Sequence, residues 1–441
     1  MPPVLYAAPV VCPMTGPPLA DGGVLVDGDR IVEVGERSRL ARHAGRVHEV
    51  DGVLLPGLVD GSTVLEYADA EALAVPGPAH AWLAAVQGTT ATWSDDAWTR
   101  SARRGVQQLL RAGVTAAGDV VLHGPAVPAA SRAGLVGTSW VQVAMVDVDT
   151  VDAVLPQVEH ALGLPAEGRT VGIAPHAPHT LGTGVLQALA EMATRHDVPL
   201  HVRAAETQAE VAALRAGEGP FASLARERDM AFEWLETAAD LSPVRYLDAC
   251  AALGPRTVVS HGVYVDVLEA RLLTARGTAV VCCPRADALR RSGDAPLERY
   301  AEAGTRLALG TDSVASSGST DVLAEAAAWA ALARRRDLAF WPSESGPVSL
   351  EEQAVRLATV EGARAMGWGD QAGVLEPGRR ADLVAVAVDT TPGTAYRDLV
   401  ERGPGRQVMT VLGGVRRARR DDPDLPWPPI DRHELDDPAA P

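Results

Sequence analysis

The stretch Leu200-His201-Val202-Arg203-Ala204-Ala205-Glu206-Thr207 is an apolar run that breaks into a polar tip carrying a cation and, three residues on, a carboxylate. Leu309-Gly310-Thr311-Asp312-Ser313 is a second such run, ending on an acid between small residues. Strand tips are where α/β barrels keep their chemistry, so Glu206 and Asp312 are candidate proton-handling groups. Arg203 is a fixed cation within reach of both. A guanidinium there would keep Asp312 ionised, as a base acting on water or as a binding group for a cationic substrate. Arg203 could equally bind a carboxylate ligand, or only neutralise two buried acids, which require a partner in any case.

Other chemistry is thinly represented. His123 precedes Gly124-Pro125 and reads as a loop hydrogen bond, and Asp95-Asp96 as a solvated pair in a long loop. No GxSxG elbow and no phosphate-binding glycine loop is present, which weighs against an α/β serine hydrolase and a nucleotide site. Cys12, Cys250, Cys282 and Cys283 form no CxxC pair, so neither a disulfide framework nor a zinc ribbon is expected. Neighbouring Cys282 and Cys283 point to opposite faces of a strand, and both read as small buried hydrophobes.

The elements that must position these groups alternate. A helix is expected from about Trp98 to Ala112, then strands near Thr115–Leu122, Ser139–Val146, Thr170–Ala174, Pro199–Val202, Thr257–Ser260, Ala279–Cys282 and Arg306–Gly310. Helices such as Leu186–His196 and Val322–Arg335 lie between them. Steady alternation over roughly 300 residues implies a parallel sheet closed into a (β/α)8 TIM barrel. An open doubly wound sheet is the alternative, but no glycine-rich fingerprint follows its first strand. Residues 67 to 98 read as an excursion over the barrel mouth with some helix.

Both chain ends are β-rich. Asp27-Gly28-Asp29 is a hairpin signal, Gly413-Gly414 marks another, and the two ends are expected to form one small composite β-sandwich domain. The expected organisation is 1–55 and 376–420 for that domain, 56–375 for the barrel, and a loose tail at 421–441. All 40 basic residues are arginine, which excludes a lysine Schiff base and a carbamylated-lysine metal bridge. A net charge of −17 without a basic cluster argues against nucleic acid and anionic membrane as partners. With no basic region before the first apolar residues, a cytoplasmic location is expected.

Several motifs in order resemble the amidohydrolase superfamily, in the branch of deaminases, triazine chlorohydrolases and imidazolonepropionase. Leu55-Pro56-Gly57-Leu58-Val59-Asp60 is similar to the family's entry to barrel strand 1. Ala174-Pro175-His176-Ala177-Pro178-His179-Thr180 is similar to strand 4, with His179 where a tyrosine is usual. Leu200–Thr207 is similar to strand 5, Ser260-His261-Gly262 to strand 6, Cys283-Pro284-Arg285 to strand 7 and Gly310–Ser313 to strand 8.

The resemblance implies a hydrolase of carbon–nitrogen bonds other than peptide bonds, deaminase-like, acting on a small nitrogenous or cyclic molecule. It implies that Glu206 shuttles a proton to the leaving nitrogen, His261 polarises the substrate and Asp312 accepts the proton of the attacking water. His176, His179, Arg203 and Arg285 are the expected substrate-binding residues, and a homodimer is the family-level expectation. The family holds a divalent metal such as zinc through a His-x-His pair, a third histidine and the strand 8 aspartate. Here Ser62 and Val64 stand at the His-x-His positions and Arg203 at the third. A protonated guanidinium repels a cation, so the expectation is a degenerate site with no metal and no cofactor. His201, one layer deeper than Arg203, reads as a hydrogen-bonded core histidine. The other readings are a catalytically inactive homologue that binds a small molecule or a partner protein, and a relocated metal on Glu206, His261 and Asp312.

Overall fold

A computed structural model describes residues 2–164, 166–343 and 346–420. Eight parallel strands follow one another in strict sequence order through a single sheet: Leu58–Thr63, Val114–Val121, Val136–Val143, Arg169–Pro175, Leu200–Ala204, Thr257–His261, Ala279–Cys282 and Leu307–Leu309. Helices return the chain between them, and the sheet curls until its first and last members meet. The Asp312 N–H donates to the Ser62 carbonyl at 2.8 Å, and the Thr311 N–H donates to Asp60 Oδ1 at 3.1 Å. Gly310 permits the approach, because a Cβ there would lie 2.9 Å from both the N and O of Ser62. The TIM barrel expected from the alternation is present.

Its interior is plugged from below. Trp140 is fully buried at the centre, and Gly118 and Gly172 make room for its indole, since a Cβ at either would come within 2.6 Å of the ring. Cys282 and Cys283 are both free and buried and do face opposite ways. Cys282 packs with the residues between sheet and helices, and Cys283 packs with Trp140 and the other interior residues.

The second sheet joins the chain ends. Val53–Pro56 pairs parallel with Val4–Val11 on one side and antiparallel with Leu383–Val386 on the other. The expected hairpins are there, with Gly28 at φ +58 and Gly413 and Gly414 at φ +57 and +76, the left-handed conformation that glycine adopts without steric cost. The stretch 421–441, expected to be a tail, lies outside the described residues.

The excursion after the first strand is more helical than its sequence suggests. A 3₁₀ segment, Leu65–Leu73, leads to helix Ala79–Thr90 and then to helix Asp95–Arg111. The last starts three residues before the expected Trp98, because Ser94 Oγ accepts the Ala97 N–H at 3.3 Å and Asp95 and Asp96 favour the positive N-terminus. It buries Trp98, Ala102, Val106, Leu109 and Leu110, each side chain contributing about 1 to 3 kcal/mol. Among the described residues no helix is long and apolar enough to cross a membrane.

Candidate active site

Three of the strand tips carry the expected acids and histidine, and each turns sharply. Ala205, His261 and Asp312 have φ of +54, +74 and +57, a conformation that non-glycine residues hold only where surrounding structure enforces it and that gathers at functional sites. These turns bring Glu206, His261 and Asp312 together at the C-terminal end of the barrel.

Arg203 sits among them. Its Nη1 donates to Glu206 Oε2 at 3.1 Å and its Nη2 to Asp312 Oδ1. His261 Nδ1 donates to Asp287 Oδ1 at 2.7 Å, and this orients the ring so that Nε2 faces inward, 3.8 Å from Asp312 Oδ1. Buried, His261 Nε2 and Asp312 Oδ2 have no hydrogen-bond partner among the described residues. Burial works against the charge on Asp312, but Arg203 and His261 outweigh it and hold its carboxyl far below the usual carboxylate range. Glu206 is also lowered, burial being overcome by His261 and Arg203. Burial alone would discharge His261, yet Glu206 and Asp287 raise it to about 10.

A ring of acceptors holds this centre in place. Glu210 takes the Ala205 N–H at 3.0 Å and the Glu206 N–H at 2.8 Å, which fixes the strained turn after the fifth strand. Glu66 is buried and accepts from Leu122, His123, Gly124 and Ala126, four main-chain donors of the loop after the second strand. That loop places His123 over Trp98, ring centroids 5.2 Å apart, with its Nε2 2.9 Å from Asp95 Oδ1. Asp95 is exposed to solvent, as expected, and also pairs with His123.

Above the centre lies a pocket of about 210 Å³ with Arg203, Asp312, Ser62 and His201 on its floor and Tyr67, Trp82, Trp98 and Phe221 among its walls. His176 and His179 line it as expected. Burial and then Arg203 keep His176 neutral, and burial lowers His179 to about 4, so both face a ligand as uncharged imidazoles. Arg285 does not join them. Its guanidinium is taken by Ser319 Oγ at 2.9 Å, the Ser317 carbonyl at 2.7 Å and Glu325, away from the pocket walls. Sequence reasoning missed Asp287, although it lies two residues beyond the Cys283-Pro284-Arg285 motif. It missed the aromatic walls as well, which come from Tyr67, Trp82 and Trp98 in a stretch without periodicity.

Residues 53–416 match the amidohydrolase family. A 5-methylthioadenosine/S-adenosylhomocysteine deaminase of Halobacterium salinarum is 31% identical over 432 residues, 93% of this chain and 91% of that protein. A 5'-deoxyadenosine deaminase of Methanothermobacter thermautotrophicus is 27% identical over 426 residues, 92% of this chain and 93% of that one. In the fold, the chain is similar to a zinc-bound adenosine deaminase from Xanthomonas campestris, with a TM-score of 0.76 and 22% identity covering 94% of this chain and 93% of that one. It is similar also to an atrazine chlorohydrolase of Arthrobacter aurescens complexed with zinc and atraton, with a TM-score of 0.77 and 21% identity covering 96% and 97%.

The expectation of a site with no metal and no cofactor is corrected by two of these findings together. Buried Glu206, His261 and Asp287 each bring a ligand atom to within 4.8 Å of the others, and the two proteins of like fold just described hold zinc. The relocated set was expected on Asp312, but it is Asp287 that completes the group. Reading ligand positions one at a time hid it, because two of its members serve other roles in the motifs that were matched. The donor chemistry, two carboxylates and an imidazole, fits a divalent ion, which His261 would take on giving up its proton. With a matched segment that takes in both the barrel and part of the sheet formed by the chain ends, the chain belongs to the amidohydrolase family.

Proposed function

We propose that the protein is a hydrolase acting on a carbon–nitrogen bond, other than a peptide bond, of a small nitrogenous ring compound, in the manner of a deaminase. The observation that carries this reading is the convergence of Glu206, His261 and Asp312 at the C-terminal end of the barrel, where Asp312 borders an aromatic-walled pocket. The names of the two sequence relatives support it. Aromatic walls suit a flat heterocycle, and a volume of about 210 Å³ suits a small one.

In this reading the ionised Asp312 accepts the proton of the attacking water. Glu206, held on the rigid turn that Glu210 anchors, carries the proton to the leaving nitrogen. His261, with Nε2 beside Asp312, polarises the atom that gains charge. His176 and His179 orient the ring as uncharged partners. A divalent ion, held by Glu206, His261 and Asp287, would supply Lewis-acid polarisation to the same centre.

The test is ammonia release from a panel of aminated purines, pyrimidines, triazines and 5'-modified adenosines, with binding followed by quenching of Trp82 and Trp98 fluorescence. Turnover that falls at least a hundredfold in Asp312→Asn is expected. Quenching by a panel member with no ammonia from any of them would replace the enzyme with a binding protein.

A further inference from the structure

We propose that Arg290 is a positioning residue for ring binding, which holds Trp82 as a fixed wall of the pocket and latches the excursion after the first strand over the barrel mouth. This deepens the reading above and rests on its flat heterocycle.

The starting point is a buried cation without an acid. Arg290 is only 2% exposed, and among the described residues no carboxylate lies in ion-pair contact with it. Its Nε has no hydrogen-bond partner among them either. What it does have is the Val75 carbonyl, to which Nη2 donates at 2.6 Å, and the indole of Trp82, whose centroid lies 5.3 Å from Cζ. Burial lowers its basicity while Asp312 and Glu206 work the other way, and a guanidinium stays protonated throughout. A charge taken out of water is costly unless something is made of it. An anionic ligand is not its partner, because Trp82 borders the pocket and Arg290 does not. The indole is, since the attraction of a cation to an aromatic face grows when both are desolvated.

Trp82 is gripped at two points. Its Nε1 donates to the Ala315 carbonyl at 2.9 Å, in the turn after the eighth strand, and Arg290 covers its face. Either contact alone leaves the ring free to swing about the other, and the two together set its plane. Tyr67 then meets it edge-on, with centroids 6.5 Å apart and planes at 83°, and Trp98 lies 6.5 Å beyond Tyr67. A wall set before the ligand arrives spares the cost of ordering it on binding.

The same side chain fastens the mouth. Beside its bond to Val75, the Gly77 N–H donates to the Leu289 carbonyl at 2.9 Å, so residues 75–77 are pinned to helix Pro284–Arg290. That helix also carries Asp287, the partner of His261 Nδ1. Loss of the Arg290 side chain therefore frees the wall and the mouth but leaves Asp287 on His261, and its effect falls on ring affinity.

The full chain labelled with 5-fluorotryptophan tests this by ¹⁹F NMR, the Trp82 resonance being identified with Trp82→Phe. In Arg290→Met that resonance should shift or broaden while the other indoles hold, and Arg290→Lys, which keeps a cation, should restore part of the parent position. The Kd for 2-aminopurine and for melamine, read by calorimetry, should rise about fivefold or more in Arg290→Met and less in Arg290→Lys. Arg290→Gln, which keeps a donor for Val75, carries the test should the methionine variant not fold. A Trp82 resonance unmoved in the neutral variants, a parent-like Kd in them, or a lysine variant no better than they are overturns the proposal. A parent that binds no member of the panel above defeats the ring reading instead, and the Trp82 resonance still decides whether Arg290 holds the wall.

Discussion

Arg203 donates to Asp312 across the barrel mouth, tying the fifth strand to the turn after the eighth, and the same guanidinium donates to Glu206 at 3.1 Å. Two buried carboxylates therefore share one partly buried cation. Their energetic worth lies less in mutual attraction than in the cost of leaving either charge alone.

Replacing Arg203 with Gln should accordingly lower stability by about 3 kcal/mol or more, the usual cost of stranding a buried charge. Adding Asp312→Asn should recover part of that loss, giving a coupling of at least about 1 kcal/mol in a double-mutant cycle read by urea unfolding. Strict additivity would mean that the pair does not interact in solution.

Metal content offers a second expectation. Protein produced with zinc or manganese supplementation should carry about one divalent ion per chain, and His261→Ala and Asp287→Asn should each reduce that occupancy severalfold. Elemental analysis reads this without any substrate. Occupancy that survives both changes would place the ion on other residues.

Asp119 gives a pH signature. It is buried beneath the mouth, with Oδ1 accepting the Leu65 N–H at 3.0 Å and Oδ2 without a partner among the described residues. Burial raises its carboxyl from 3.8 to about 7. The folded state thus holds the proton more tightly than the unfolded chain. The stability this contributes is complete below pH 3.8 and is lost as pH climbs toward about 7. Asp119→Asn cannot ionise and keeps the Leu65 contact. Its unfolding free energy relative to the parent should therefore increase across that window, at up to about 1.4 kcal/mol per pH unit. A difference that stays flat with pH would show that the charge on Asp119 carries no burden.

Much of the frame was legible because strands and helices announce themselves by local pattern. The tips at Glu206 and Asp312 were found because an apolar run ending on a polar residue is visible in a few letters, and that at His261 through the resemblance of Ser260-His261-Gly262 to a family motif. Asp287, Glu66 and Glu210 were not, because each acts on main-chain or ring N–H groups that only the folded chain brings near. The same holds for Ser62 and His201, whose Oγ and Nε2 lie 3.0 Å apart. Taken singly, they look like a lost ligand and a core histidine, and only the closing of the barrel sets one against the other. Arg285 shows the converse: its motif was matched, but Glu325 and two serines beyond the eighth strand claim its side chain.

The pairing of Val53–Pro56 with Leu383–Val386 has a consequence for biosynthesis. The N-terminal strands leave the ribosome with one flank unsatisfied, and the strand that completes them is not made until most of the polypeptide has been translated. An exposed sheet edge in that interval invites pairing with other chains. Premature termination anywhere before residue 383 should therefore yield aggregates instead of a smaller working domain.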